Sequence, residues 1–451
     1  MTVLAPASFS WPAIARLGLV QTALGAVVVL ITSTLNRVMV VELALPAMVP
    51  GALVALHYAV QVLRPRWGYG SDVGGRRTPW IIGGMAALTV GGFLAAVATL
   101  VMETQMEAGL ALAVLAFLGV GMGAGAAGTN LLVLLASGVD ERRRGAAATL
   151  VWIMMIAGFA VTAPLAGHFL DPFSGARLVA VSGTVSLVAF AVAALAVRGI
   201  EQARPVPSPE ARSGRKPFLQ VLAKVWAEPA SRRFTVFLFV AMLAYSAQEL
   251  ILEPFAGLVF AMTPGTTTKL SGLQHGGVLA GMLLVAGVTM GIGGPVLGSL
   301  KAWTVGGCLG SALALLAIAA GGLVGQDFPL RPAVFALGFF NGIFAVAAIG
   351  SMMGLAGAGG EAERGTRMGV WGAAQGVAFG AGGFLGTVAV DLARLVTPHA
   401  VNAYAAVFTA EAALFVVGAA LALRIVYAKP TRLAALSRSE PFPSEARLSA
   451  R

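Results

Sequence analysis

Few side chains in this 451-residue chain are equipped for chemistry, so those embedded in apolar sequence stand out. In "SAQELILEPFAG" (246–257), Glu249 and Glu253 are four apart and share one face of a helix. Two close carboxylates in a low-dielectric setting cannot both ionise cheaply, so one of them takes a proton or a cationic partner. "TLNRVMVVEL" (34–43) supplies Asn36, Arg37 and Glu42. Five positions on a regular α-helix turn through about 140°, which makes Arg37 and Glu42 a poor pair for each other. Arg37 is therefore expected to reach Glu253 or Glu249 instead. Facing a cavity, Glu253 could carry a proton, and Pro254 loosens the backbone beside it. His57 lies inside an apolar helix as a satisfied core residue or a metal ligand. His168, His275 and His399 read as interfacial. Cys308 is the single cysteine and reads as a small buried residue. No Cys/His cluster has zinc or iron–sulfur spacing, and no nucleophile–base set or phosphate loop is present, so no enzyme activity and no protein-bound metal cluster are expected.

The elements that must position these groups are membrane helices. Hydrophobic residues make up 58% of the chain and charged residues 11%, with mean hydropathy +0.87, against about 25% charge in a soluble domain. Continuous apolar runs near the bilayer-crossing length recur, too long and unalternating for a barrel. An all-α polytopic fold of twelve spans is expected at about 15–40, 47–66, 79–101, 109–137, 146–169, 177–198, 234–260, 274–298, 303–324, 332–357, 368–390 and 401–426. That gives a bundle over 1–198, a polar linker over 199–232 with a short amphipathic helix at Phe218–Trp226, a second bundle over 233–427 and a tail over 428–451. The N-terminus lacks a signal-peptide pattern and reads as retained. All but Arg37, Arg177, Lys269, Arg331 and Arg394 of the 30 Lys and Arg fall on one side of this topology. The positive-inside rule then puts both termini in the cytoplasm. The net charge of +11 is this solvated face rather than a nucleic-acid surface. Glycine-rich runs such as "GVGMGAGAAG" (119–128) let helices approach closely. Trp67, Trp80, Trp152 and Trp371 are placed as interface anchors.

The chain repeats. "AMVPG" (47–51) follows the first span and "AMTPG" (261–265) the seventh, while "ERRRGAAATLVW" precedes the fifth and "ERGTRMGVW" the eleventh. Two six-helix repeats of one orientation are the organisation of major facilitator proteins. "GYGSDVGGRRTPW" (68–80) resembles that superfamily's signature loop through Gly68, Asp72, Gly75, Arg76 and Arg77, with Val73 where a basic residue is usual. Glycines allow the tight turn, and the acid can cap a neighbouring helix.

More narrowly, five segments resemble the PucC/LhaA, or bacteriochlorophyll delivery, family. They are "LGLVQTALGAVVVLITSTLNRVMVVELALP" (17–46), "LRPRWGYGSDVGGRRTPWIIGG" (63–84), "GTNLLVLLASGVDERRRGAAATLVWIMM" (128–155), "QELILEPFAG" (248–257) and "ERGTRMGVWGAAQG" (363–376). Within it the resemblance is strongest to the branch encoded with late bacteriochlorophyll genes. It implies a non-enzymatic factor in the intracytoplasmic photosynthetic membrane that binds bacteriochlorophyll or a late precursor non-covalently. The implied partners are late enzymes such as geranylgeranyl reductase and bacteriochlorophyll synthase, light-harvesting polypeptides, and lipid. Under that reading Arg37, Glu42, Glu249, Glu253, Asn36 and His57 form the candidate pigment or cavity site, with Glu253 or His57 as the ligand to a chlorin magnesium. The alternative is a proton-coupled secondary transporter of a small molecule or pigment precursor, using Glu249 or Glu253.

Overall fold

The computed structural model describes residues 9–64, 67, 76–201, 226–289, 299–358, 361–397 and 399–424. These form twelve α-helices: α1 Trp11–Val29, α2 Met48–Val60, α3 Thr78–Met102, α4 Met106–Gly138, α5 Glu141–Leu170, α6 Gly175–Val197, α7 Pro229–Phe260, α8 Pro264–Gly287, α9 Leu300–Val324, α10 Leu330–Ala358, α11 Glu361–Val396 and α12 Ala400–Leu423. Eleven are long and apolar enough to cross a membrane, the first when taken through to Glu42. The expected span 47–66 is the exception. It is a shorter apolar helix, α2 with a 3-10 turn at Gln61–Leu63.

Local chemistry sets the helix starts. Ser10, Ser174, Thr263 and Ser299 accept from the backbone N–H three residues on, at 3.2–3.4 Å, satisfying donors that no helix turn can reach. Pro12, Pro79 and Pro264 occupy first-turn positions where a missing N–H costs nothing. The Thr263–Pro264 start puts α8 ten residues ahead of the expected 274, because "PGTTTKLSGLQH" is too polar to register as a span.

Buried apolar side chains gather in two large clusters. One is built mainly on α1–α6 around Met39, Met85 and Phe117, the other on α7–α12 around Phe255, Phe344 and Phe408. Between them, α5 packs on α8 and α2 on α11. Backbones touch where glycine permits it: a Cβ on Gly84 of α3 would lie 2.6 Å from the Ala127 amide of α4. Trp371 is not an interface anchor. It is 1% exposed, with its ring 4.9 Å from that of Phe234, because α11 begins two turns earlier than 368 and carries it into the core.

One end of the bundle is tied by Phe9 N donating to Gly138 O (2.7 Å), Arg16 Nη2 to Arg198 O (2.6 Å) and Lys301 Nζ to Leu423 O (2.7 Å). There the Glu201 carboxylate accepts the Arg77 and Thr78 amides at 2.7–2.9 Å. Gly68, Asp72 and Gly75 of the loop motif lie outside the described residues, as does the expected linker helix short of Trp226; Arg76 is exposed and Arg77 opens α3. At the opposite end, Asp391 of α11 accepts the Ala47 and Met48 amides (3.0 and 2.7 Å). Asp171, after α5, accepts the Gly265 amide at 3.2 Å, with Lys269 Nζ 3.9 Å away. The repeated "AMVPG" and "AMTPG" segments are thus each capped by an acid from the other six-helix set.

Candidate functional site

The site is built where α1 stops being an α-helix. Leu30–Leu35 and Val38–Glu42 are π-helical, a ladder that bonds i to i+5 and recurs at functional sites. Leu43 N accordingly reaches Val38 O at 3.1 Å. On this ladder residue i+5 returns to the side of residue i, and Arg37 Nη1 pairs with the Glu42 carboxylate. The expectation that these two avoid each other is corrected: it assumed 3.6 residues per turn in a segment wound more loosely. Arg37 is 2% exposed, whereas the Glu42 side chain is 38% exposed at the rim. The second guanidinium arm, Nη2, donates to Met262 O at 2.7 Å, beyond the end of α7. Gly257 makes room for it, since a Cβ there would sit 3.1 Å from Nε and Nη2. Arg37 thus joins α1 to the α7–α8 connection, but its carboxylate partner is Glu42 rather than Glu249 or Glu253. Glu253 lies within its electrostatic reach only.

Asn36 has a different task. Pro254 has no N–H, so the carbonyl four residues before it, Leu250 O, loses its helical donor. Asn36 Nδ2 supplies one across the interface at 2.6 Å. Both residues are buried, at 1% and 2% exposure, so the bond replaces a backbone contact that water could not. The proline of α7 and the polar residue facing it are one device.

Beside it Glu253 is 3% exposed and faces the hydroxyls of Ser33, Thr267 and Ser271, yet neither carboxylate oxygen closes a hydrogen bond of good geometry. It borders a cavity of about 30 Å³ with Glu249, Thr32, Ser33, Gln274 and His275. Glu249 engages the Tyr245 hydroxyl, with Tyr58 within electrostatic reach. His275 is not interfacial: inside α8 it is buried, its Nδ1 2.9 Å from Ser271 O and its ring edge-on to Phe159. Thr34 and Thr268 hydroxyls meet at 2.9 Å across α1 and α8. Thr267, Ser271, Gln274 and His275 repeat at helical spacing along α8, a polar stripe visible in the sequence once the helix start is moved to Pro264.

His57 does not join this group. It is buried in α2 with Nε2 3.1 Å from Gln61 Nε2 and its ring edge-on to Tyr58. Among the described residues no group of three or more His, Cys, Asp or Glu is placed to hold a metal ion. The central cavity takes a few waters at most. It does not fit a chlorin macrocycle in this conformation, since pockets for drug-sized ligands run to roughly 300–1,000 Å³. An open pocket of about 390 Å³ lies past the end of α7, lined by Phe260, Met262, Phe328, Leu330 and Arg331.

The geometry is that of two helix sets meeting at a polar seam, and the comparisons agree in fold and in family. The model for the PUCC protein family matches residues 34–429. The chain belongs to that family. It is 56% identical over 423 residues to the "Bacteriochlorophyll synthase 44.5 kDa chain" of Rhodobacter capsulatus, covering 94% of this chain and 97% of the relative. It is 28% identical to "Protein PucC" of Rhodobacter capsulatus, covering 91% of each. Among solved structures, a POT family transporter in complex with a thioalcohol-conjugated peptide superposes with TM-score 0.67 at 13% identity, covering 92% of this chain and 96% of the other. That likeness shows the fold, of major facilitator type. The PUCC match takes in Asn36, Arg37, Glu42, Glu249 and Glu253, so the seam belongs to the part of the chain that the family shares.

Proposed function

We propose that this PUCC-family protein binds and hands on bacteriochlorophyll or a late precursor, without catalysing a reaction on it. The observation that carries the reading is near-full-length identity of 56% to a relative named as a chain of bacteriochlorophyll synthase. In that role it sits in the photosynthetic inner membrane with its linker face and both termini cytoplasmic. It takes pigment from late enzymes such as bacteriochlorophyll synthase or geranylgeranyl reductase and delivers it to light-harvesting polypeptides. The 1–198 and 233–427 bundles move as units about the seam, and the linker and tail offer the surfaces for a peripheral enzyme. Because the central cavity is far smaller than a chlorin, pigment is held on the outer helix faces or in a conformation with the two sets apart, and Glu253 ligates magnesium only in the latter. The test is purification from native pigmented membranes in mild detergent. Stoichiometric bacteriochlorophyll and co-purifying late enzymes support the proposal; a colourless, solitary protein refutes it.

A second reading, proton-coupled transport, is favoured by the two carboxylates on one face of α7 opposite the polar stripe of α8. Vesicle acidification dependent on a small substrate and lost in Glu249→Gln or Glu253→Gln would select it.

A further inference from the structure

The cage around Glu253 has a composition that neither reading uses. Thr32 Oγ1 donates to Val28 O (3.1 Å) and Thr267 Oγ1 to Pro264 O (3.1 Å). Their protons are spent on their own helices, and lone pairs are what they have left to offer. Ser33 Oγ, 5% exposed, has no hydrogen-bond partner. The two carboxylate oxygens of Glu253 are likewise unpartnered and 3% exposed. An unpaired carboxylate ringed by hydroxyl oxygens lacks a positive charge at its centre. Arg37 lies within electrostatic reach but does not pair with the carboxylate: its two terminal nitrogens are committed to Glu42 and the Met262 carbonyl, and its Nε bonds nothing.

We infer that Glu253, Ser33, Thr267 and Ser271 form a binding site for a dehydrated monovalent cation of sodium size. Three observations select that class. The space, about 30 Å³, holds a few waters at most, too little for a magnesium ion that keeps several of its own. The carboxylate that the Ser33, Thr267 and Ser271 hydroxyls face is Glu253, while Glu249, on the border of the same cavity, engages the Tyr245 hydroxyl, so a single charge balances this cage. A proton needs one acceptor, whereas three or four oxygens converging from α1, α7 and α8 are a hard cation's requirement. The site also lies where a proline-loosened helix meets a π-helix, the kind of irregular backbone at which membrane proteins hold coupling ions. An ion there would draw α1, α7 and α8 together whatever the cargo.

The test uses purified full-length protein in detergent at constant ionic strength. Sodium chloride replaces choline chloride while thermal unfolding is followed, with binding of radioactive sodium ion measured in parallel. A saturable sodium-dependent rise in Tm is expected, absent with choline and weaker with potassium. Ser33→Ala should raise the half-saturating sodium concentration roughly tenfold, and Glu253→Gln should abolish both signals. Glu411→Gln, a buried carboxylate of α12 that does not border the cavity, should leave them intact. Equal responses to sodium and choline overturn the inference. So does a response to calcium or to lowered pH that sodium cannot reproduce, or a sodium signal surviving in Glu253→Gln.

Discussion

If Asn36 stands in for the amide that Pro254 removes, the two residues must be thermodynamically coupled although they lie on different helices. Asn36→Ala leaves Leu250 O buried with no donor. An unmet buried polar group costs about 1–3 kcal/mol, and hydrogen bonds between membrane helices average about 0.6 with a maximum near 1.7 kcal/mol. A loss of about 1–2 kcal/mol is therefore expected. In a Pro254→Ala background the restored backbone N–H at position 254 can return to Leu250 O in the ordinary helical register. Asn36→Ala should then cost only a few tenths of a kcal/mol, giving a coupling of about 1 kcal/mol in a double-mutant cycle. Reversible unfolding in mixed micelles with increasing SDS measures all four proteins. Asn130→Ala is the control: Asn130 is equally buried, but its Nδ2 bonds Ala126 O of its own helix at 2.9 Å. It should show no coupling to Pro254→Ala. Additivity of Asn36→Ala and Pro254→Ala within about 0.3 kcal/mol would refute the capping argument.

Glu42→Ala strands a buried guanidinium; complete burial of such a pair sets the loss at about 3–5 kcal/mol, and the 38% exposure of Glu42 reduces the expectation to about 1–2 kcal/mol in the same SDS titration, with Glu42→Gln intermediate. At the linker end, burial pushes the Glu201 carboxyl up, but the Thr78 and Arg77 amides outweigh it and hold the group below its usual range. With the folded value depressed, its contribution is complete above the ordinary carboxylate range near pH 4.5 and is lost as pH falls through the folded value. Hydrogen exchange at the start of α3 should accelerate over that window in the native protein and be fast and pH-flat, after correction for intrinsic rates, in Glu201→Gln. At the opposite end, Asp391→Asn with Asp171→Asn weakens both inter-set caps, so a cysteine placed at Thr34 should react faster with a membrane-impermeant maleimide added to that face. An unchanged rate would mean that the seam is held by α2–α11 and α5–α8 packing alone.

The parts of this molecule that a sequence discloses are those with a regular period. Apolar runs place eleven crossing helices, and the i, i+4 spacing of Glu249 and Glu253 holds because α7 stays α-helical on both sides of Pro254. Where hydropathy is traded for function the apolar pattern fades: Thr266, Thr267, Thr268, Lys269 and Ser271 lie among the first ten residues of α8, which therefore look like a loop and leave His275, at the expected start, looking like a surface group. The site's chemistry hides its own helix.

The relation between Arg37 and Glu42 is hidden for a sharper reason. A spacing of 3.6 residues per turn misplaces these side chains, because Leu30–Leu35 and Val38–Glu42 follow i to i+5 bonding instead. Nothing local demands that winding; it is tertiary partners that reward it. Arg37 gains the Met262 carbonyl and a surface of Gly257, Asn36 gains Leu250 O, and Thr34 gains Thr268, all from α7, α8 and the turn between them. A π-turn is selected when contacts to other elements exceed the cost of loosening the ladder. It follows that the pairing is conditional. If α7 and α8 move away from α1 as the two sets separate, the reason for the π-winding goes with them. The segment can then relax toward α-helical geometry, which swings Glu42 about 140° from Arg37 and ends their pairing. The Arg37 and Glu42 that regular α-helical spacing keeps apart and the pair found here are in this sense two states of one segment. A disulfide or double electron–electron resonance pair spanning α1 and α8 would report that change as a lengthened separation accompanied by loss of the Arg37–Glu42 coupling energy.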